Sequence, residues 1–216
     1  MKAPLKYEIR HPKVESKNPP VLLLLHGYGS NEMDLFSFAY SLPDELLVVS
    51  AQGPYEYSYG VNAWYEIAFN EDDEKFTDLK QANSSLKKVD QFIDYLLLKY
   101  HADPKKVFVL GFSQGAVLSY ALSFIKPNKI QHIIALSGYI DMHLLPEKEV
   151  DFSSLETDYY VSHGTVDQVI PVDWARKTTV FLEQHHVKHS YTEYPVGHTV
   201  APQNFASFKS WIIERL

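Results

Sequence analysis

The sequence predicts one α/β domain, a mostly parallel sheet with helices on both faces. Two apolar runs, at residues 21–25 and 107–110, are uniform rather than alternating, which is typical of strands buried on both faces. Over residues 79–100 apolar side chains recur at three- and four-residue spacing, which predicts a helix. A chain of 216 residues is long enough for one sizeable core and short for two, so one domain over 1–216 is expected.

The other elements follow in alternation along the chain, which favours a parallel sheet. Pro104 stops the long helix, and Pro171 begins another, at a position where the missing amide hydrogen costs nothing. The predicted strands are 21–25, 46–51, 107–110, 132–136, 159–161 and 190–194; the predicted helices are 31–42, 79–100, about 116–125, 172–186 and 205–216. The aromatic stretch 55–69 has no clear period and is predicted to be a long surface loop.

Composition excludes several classes of function. The hydrophobic content of 45% and charged content of 22% are those of a soluble globular protein. A net charge of -7, without a lysine and arginine stripe, disfavours nucleic acid and anionic membranes as partners. The absence of cysteine removes disulfides, thiolate zinc sites and a cysteine nucleophile.

Two segments bear on localisation and on metal binding. No apolar stretch of signal-peptide length precedes the run 21–25, which is itself too short for a membrane span, so a cytoplasmic protein without stable membrane insertion is expected. The acidic run 71–74 lacks the alternating ligands and central glycine of a calcium loop and is predicted to be a solvated face. We expect neither a metal nor an organic cofactor.

The most specific motif is G-F-S-Q-G at residues 111–115, which fits the pattern G-x-S-x-G. It lies between a predicted buried strand and a predicted helix, where a sharp turn would expose the hydroxyl of Ser113 at the carboxyl edge of the sheet. The free amides of the new helix would point at an oxyanion formed there. These features make Ser113 the candidate nucleophile.

A serine nucleophile needs a histidine base and a carboxylate that orients it. In α/β-hydrolases these residues follow the serine in the order acid then base, each in a loop after a strand. Asp167 and His198 fit that order, since they follow the predicted strands 159–161 and 190–194. Asp167 is therefore the candidate acid and His198 the candidate base.

Most of the other acids and histidines that were weighed have a structural interpretation, and one acid remains an alternative. Asp173 would stabilise the first turn of a helix, and Asp141, after an earlier strand, remains an alternative acid. His26 and His163 each precede a glycine after a buried strand and are interpreted as packed, hydrogen-bonded residues. A third group clusters near a helix end, where surface exposure is expected and metal binding is only weakly supported: His185, His186 and His189.

An oxyanion hole needs two backbone amides that converge on the developing charge. Gln114 follows the nucleophile, and Tyr28 lies between two glycines in the loop after the first long strand, so these two residues are the candidates. The aromatic residues of the stretch 55–69, among them Trp64 and Tyr65, are candidates for an apolar acyl or aryl pocket or for the core.

Taken together, these motifs resemble the phospholipase/carboxylesterase family, which includes bacterial carboxylesterases and acyl-protein thioesterases. The similarity extends over nearly the whole chain, through L-L-H-G-Y-G at 24–29, W-Y-E at 64–66, G-F-S-Q-G at 111–115, H-G-T-V-D-Q-V-I-P at 163–171 and Y-P-V-G-H at 194–198. The resemblance implies an α/β-hydrolase fold without a large cap domain. It also implies the roles already assigned to Ser113, Asp167, His198, Tyr28 and Gln114.

The resemblance further implies that Trp64 borders the substrate. Four other residues of these motifs are candidate substrate contacts: Tyr65, Phe112, Val169 and Ile170. The thioesterase branch usually has aspartate directly after the second glycine of the first loop, where this chain has Ser30, and Trp-Phe-Asp where it has 64–66. These departures favour hydrolysis of small esters over removal of acyl groups from proteins.

The predicted activity is hydrolysis of carboxylic esters or thioesters with small or medium acyl chains, through an acyl-enzyme on Ser113. Two alternatives remain open: a non-catalytic α/β-hydrolase scaffold that binds a ligand, and an acyltransferase that uses the same triad. The expected partner is a small-molecule ester or thioester. A homodimer is possible.

Overall fold

The computed structural model describes residues 2–69, 75–146 and 150–216, and the acidic run 71–74 lies outside them. Eleven strands lie in the described residues. They are β1 (Tyr7–Arg10), β2 (Val21–Leu25), β3 (Leu47–Ala51), β4 (Tyr55–Ser58), β5 (Val61–Ala63), β6 (Ile67–Phe69), β7 (Lys75–Thr77), β8 (Val107–Phe112), β9 (His132–Leu136), β10 (Asp158–Gly164) and β11 (His189–Tyr194).

Seven of these strands form one sheet in the order β1-β3-β2-β8-β9-β10-β11. Only the edge strand β1 runs antiparallel to its neighbour, and the other pairs are parallel. In the centre, Leu23 is in register with Val49 on one side and Val109 on the other. This mostly parallel sheet confirms the predicted fold class, and the loops after β2, β8, β10 and β11 share its carboxyl edge.

In the described part of the chain, five helices accompany the sheet: α1 (Glu32–Phe36), α2 (Leu79–Tyr100), α3 (Gln114–Ile125), α4 (Val172–Gln184) and α5 (Pro202–Ile213). Side chains alternate across β2, because successive residues of a strand point to opposite faces. Leu23 joins the core that contains residues of α2 and α3, whereas Leu22 and Leu24 join the core that contains residues of α1 and α5. Both faces of the sheet are covered, as predicted.

The predicted helix 31–42 is shorter than expected. It divides into α1 and a single 3₁₀ turn at Ala39–Ser41, and Asn31 caps α1 by accepting a hydrogen bond from the Met33 amide. Leu35 and Ala39 are buried all the same. Because 3₁₀ and α turns both place residues three or four apart on one side, the apolar spacing did not distinguish them.

The prediction of a long surface loop over 55–69 is wrong. Strands β4 and β5 form one antiparallel hairpin, and β6 pairs with β7 in a second. Between them Trp64 is fully buried. Strand β1 was not predicted. Its buried Arg10 donates hydrogen bonds to the carbonyls of Ala39, Pro43 and Leu46. No local sequence pattern indicates such contacts, because they join distant segments.

None of the helices in the described ranges combines the length and hydrophobicity needed to cross a membrane.

A half-buried histidine on β9 makes stability sensitive to acid. The His132 ring packs against Phe108 and Trp211, with centroids 4.4 and 5.8 Å away, and burial lowers its pKa to about 4. Above pH ~6.5 this histidine is neutral whether the chain is folded or not. Below that pH the unfolded chain binds a proton that the folded chain refuses, so the free energy of unfolding falls down to about pH 4.

We therefore expect His132→Phe, which keeps an aromatic ring in the site, to flatten this dependence. Wild type should lose about 1–2 kcal/mol more than the variant between pH 7 and pH 5, with partial exposure of the ring included. Urea unfolding monitored by circular dichroism at both pH values measures the difference. Equal losses in the two proteins would contradict the role of His132.

Candidate active site

Residues 111–115 form the strand-to-helix turn that the motif predicts, named the serine turn below. Ser113 lies between β8 and α3 with φ 53° and ψ −117°, a strained conformation that few non-glycine residues adopt. Its N–H donates to the Leu136 carbonyl at 2.9 Å, and its own carbonyl accepts from Val117 at 3.1 Å. The surrounding hydrogen bonds thus hold the strained serine in place.

Close packing against strand β2 explains why residue 115, the last residue of the serine turn, is glycine. A Cβ on Gly115 would lie 2.0 Å from the Leu25 carbonyl oxygen, well inside any allowed contact. The start of α3 can therefore press against the end of β2 only without a side chain. This contact brings the loop after β2 beside Ser113.

Asp167 lies in the loop that follows β10, and its side chain is buried. One carboxylate oxygen, Oδ1, accepts the amides of Val169 at 2.8 Å and Ile170 at 2.9 Å. The other, Oδ2, accepts from His198 Nδ1 at 2.7 Å. The loop's own backbone therefore fixes the carboxylate and aims one oxygen at the imidazole.

His198 lies in the loop that follows β11, close to the serine turn. Its ring centroid is 4.9 Å from that of Phe112, the residue before Ser113. Donation from Nδ1 to Asp167 leaves Nε2 with a free lone pair. Among the described residues, no hydrogen bond joins Nε2 to the Ser113 hydroxyl. In free enzymes such a bond is often long, and it shortens only when substrate binds.

Another glycine lets the two loops meet. A Cβ on Gly164 would lie 2.3 Å from the carbonyl oxygens of both Val196 and Gly197. The Val166 amide donates to the Val196 carbonyl at 3.2 Å, a further link between the loops. These contacts keep the carboxylate of Asp167 next to His198.

Two amides are available for an oxyanion. Within the described residues, the N–H groups of Tyr28 and Gln114 have no hydrogen-bond acceptor. Gln114 begins α3, whose dipole favours negative charge at this end. The loop that contains Tyr28 is held by Asn62, whose carbonyl accepts from Gly29 at 2.9 Å.

Trp64 and Tyr65 support the serine turn rather than line an open surface. The Gln114 side chain accepts from the Trp64 amide at 2.9 Å and donates to the Tyr65 carbonyl at 2.7 Å. The Trp64 indole donates to the His26 carbonyl at 2.9 Å. Trp64 and Tyr65 are 0% and 1% exposed, so the predicted contact with substrate gains no support from their position.

The other candidate substrate contacts differ in exposure. Val169 is 67% exposed and Ile170 is buried, although they are neighbours in the loop after Asp167. Phe112 is half-buried against His198. Val169 and Phe112 are accessible to a ligand, whereas Ile170 contributes to the loop through its amide and carbonyl.

His26 and His163 have the structural character expected of them. His26 donates from Nδ1 to the Gly27 carbonyl and accepts the Gly53 amide at Nε2, and burial lowers its pKa. His163 donates from Nε2 to the Ile170 carbonyl at 2.8 Å and lies 3.3 Å from Asp167, while its buried Nδ1 has no partner among the described residues. Both rings hold loops of the site in place.

The alternative acids lie elsewhere. Asp173 is exposed in the first turn of α4 and pairs with Arg176 at 3.0 Å. Asp141 bonds to the backbone and ring of His143, not to His198. His185, of the histidine cluster, packs on Phe152 and Phe181.

Sequence reasoning missed Asn62, and it missed the role of the Gln114 side chain. Asn62 holds the Tyr28 loop through its carbonyl, and its buried side chain accepts from Gln52 at 2.7 Å. The Gln114 side chain joins the serine turn to the backbone of Trp64 and Tyr65. No sequence pattern indicates either contact, because each joins segments that are distant in the chain.

Comparison with known proteins agrees with this architecture. The phospholipase/carboxylesterase family matches residues 7–215. Acyl-protein thioesterase 1 of Debaryomyces hansenii is 24% identical over 179 residues, which are 82% of this chain and 75% of that protein. Acyl-protein thioesterase 1 of Saccharomyces cerevisiae is 29% identical over 164 residues, which are 71% and 69% of the two chains.

Among solved structures, a Bacillus cereus carboxylesterase has a similar fold, with a TM-score of 0.82 and 21% identity. The superposition covers 98% of this chain and 95% of that one, so no large cap domain distinguishes them. A family match over almost all of the sequence is decisive for membership. The chain therefore belongs to the phospholipase/carboxylesterase family of α/β-hydrolases, as its motifs predict.

Proposed function

We propose that the protein is a serine hydrolase of carboxylic esters or thioesters, with Ser113 as nucleophile, His198 as base and Asp167 as orienting acid. The observation that carries this proposal is the Asp167–His198 hydrogen bond of 2.7 Å beside the strained serine turn. Family membership supports the reaction class.

The geometry supports a two-step reaction. Ser113 Oγ attacks the acyl carbon while His198 Nε2 accepts its proton, and Asp167 stabilises the imidazolium through Nδ1. The amides of Tyr28 and Gln114 bind the oxyanion, and the protonated histidine then gives its proton to the departing alcohol or thiol. Water, activated by the same histidine, hydrolyses the acyl-enzyme.

We propose small or medium acyl chains for the substrate. Trp64 and Tyr65 are buried and add no wall to an open pocket, whereas Tyr28 and Val169, in loops at the same edge of the sheet as Ser113, are exposed. The relatives named acyl-protein thioesterases support a thioester as well as an ester. A cytoplasmic location and a homodimer remain predictions.

A fluorophosphonate probe tests the nucleophile directly. We expect a single adduct on the tryptic peptide 107–129, which contains Ser113, Ser119 and Ser123, because trypsin does not cleave between Lys126 and Pro127. The latter two are fully buried and donate to helix carbonyls, so fragmentation should place the adduct on Ser113. An adduct on another serine, or none, would contradict the proposal.

A further inference from the structure

The peptide bond between Gly27 and Tyr28 lies next to Ser113. A Cβ on Gly27 would lie 3.4 Å from the Cβ of Ser113, which is ordinary van der Waals contact. The N–H of this peptide belongs to Tyr28 and its carbonyl to Gly27. Because the peptide is trans and planar, these two groups point in opposite directions. Whatever holds the Gly27 carbonyl therefore also sets the direction of the Tyr28 N–H.

The His26 ring holds that carbonyl. Its Nδ1 donates to the Gly27 carbonyl oxygen at 2.7 Å. Among the hydrogen bonds of the described residues, this is the only one that the Gly27 carbonyl accepts. The direction of the Tyr28 N–H thus depends on one side chain.

The tautomer of His26 follows from the second contact of its ring. The Gly53 N–H lies 2.9 Å from His26 Nε2, and a backbone amide can only donate. Nε2 must therefore present its lone pair, which leaves the proton of the ring on Nδ1, where the Gly27 carbonyl accepts it. Burial lowers the pKa of His26, which agrees with a neutral ring.

The ring cannot turn away from this position. His26 is 0% exposed, and its ring centroid lies 5.3 Å from that of Trp64. Gly53 is itself pressed against β5, because a Cβ there would lie 2.6 Å from the Ala63 carbonyl oxygen. The hairpin of β4 and β5 thus fixes Gly53, Gly53 fixes the imidazole, and the imidazole orients the peptide.

A glycine at residue 27 makes this peptide easy to invert. Inversion needs opposite rotations about ψ of residue 27 and φ of residue 28, and glycine permits a wide range of ψ. The next peptide is fixed separately, because the Gly29 N–H donates to the Asn62 carbonyl at 2.9 Å. An inverted peptide would point a carbonyl at Ser113 instead of an N–H, and that carbonyl would repel an oxyanion.

We propose that His26 is a positioning residue of the oxyanion hole, which holds the Gly27 carbonyl at Nδ1 and so directs the Tyr28 N–H at the oxyanion of the substrate. The inference rests on the proposed function, in which this amide binds the oxyanion. Because the oxyanion forms only in the transition state, loss of this contact should lower kcat and leave KM nearly unchanged.

Two substitutions separate the two hydrogen bonds of the ring. His26→Asn places an amide N–H as far from Cβ as Nδ1 is and gives up the acceptor for Gly53. His26→Gln places an acceptor as far from Cβ as Nε2 is and gives up the donor to Gly27. For p-nitrophenyl butyrate we expect His26→Gln to lower kcat about 10²-fold with KM within about three-fold of wild type, and His26→Asn to keep kcat within about five-fold.

A purely structural role of His26 predicts a different result. Each substitution removes one buried hydrogen bond, so the melting temperatures of the two variants should fall by similar amounts. A trifluoromethyl ketone, whose adduct with Ser113 carries an oxyanion, should bind His26→Gln more weakly by the factor lost in kcat/KM and bind His26→Asn nearly as tightly as wild type. Equal losses of kcat in the two variants, or a kcat of His26→Gln within about three-fold of wild type, would overturn the proposal.

His132→Gln is the matched control, because it makes the same substitution at the first residue of β9, at the opposite edge of the sheet. It should keep the wild-type kcat and the wild-type affinity for the trifluoromethyl ketone. A loss equal to that of His26→Gln would overturn the proposal, since the effect would not depend on the Gly27 carbonyl.

A measurement on wild type depends neither on the folding of a variant nor on catalysis. Long-range proton–nitrogen NMR correlation gives the tautomer of each histidine ring, and we expect the Nδ1–H form for His26 at neutral pH. The Nε2–H form, or a doubly protonated ring, overturns the proposal. If the expected tautomer is found but wild type neither hydrolyses p-nitrophenyl butyrate nor reacts with a fluorophosphonate, the proposed function fails instead.

Discussion

Ser113→Ala should lower kcat for p-nitrophenyl butyrate by about 10⁵–10⁶, the scale found when a triad serine is removed elsewhere. The reaction loses its nucleophile, while the amides of Tyr28 and Gln114 stay in place and leave a residual rate above that of water. Steady-state and burst-phase kinetics measure the loss. Activity within ten-fold of wild type would show that the acyl-enzyme forms elsewhere.

The control for this variant is Ser137→Ala. Ser137 also follows a buried strand, has φ 51° and is 3% exposed, and its amide donates to the Ser162 carbonyl at 2.9 Å. Both substitutions remove a buried hydroxyl at a strained backbone position and keep the Cβ. We expect their melting temperatures to agree within a few degrees, whereas only Ser113→Ala loses activity.

The sequence predicted the catalytic candidates because their positions follow from local patterns. Ser113 follows a uniform apolar strand and lies between two glycines, and Asp167 and His198 each follow a later strand. In a parallel sheet such loops share one edge. The structure adds the hydrogen bond between Asp167 and His198, which no spacing could give because 31 residues separate them.

What the sequence did not predict depends on contacts between distant segments. The hairpin of β4 and β5 pairs short strands with a bulge near Glu56, so its alternation is too irregular to recognise. The burial of Trp64 depends on the His26 carbonyl and on Gln114, 38 and 50 residues away. Residue type alone does not distinguish an aromatic that lines a pocket from one that supports a turn.

The second large effect is expected of Asp167→Asn, with a loss in kcat of about 10⁴. The asparagine oxygen can still accept the Val169 and Ile170 amides, which holds the loop in its present form. Its amide nitrogen then faces His198 Nδ1 and donates to it. The imidazole must place its proton on Nε2, the atom that has to accept the proton of Ser113, so the base is lost while the geometry is kept.

Two further variants separate this tautomer effect from damage to the loop. Asp173→Asn removes an exposed carboxylate six residues away and should retain wild-type kcat. Asp167→Ala leaves the Val169 and Ile170 amides without their acceptor and should also lower the free energy of unfolding, by about 1–3 kcal/mol. If Asp167→Asn retained more than a tenth of wild-type activity, His198 would not depend on Asp167 for its tautomer. The Nδ1 contact of 2.7 Å would then be structural, and Asp167 would have no catalytic role.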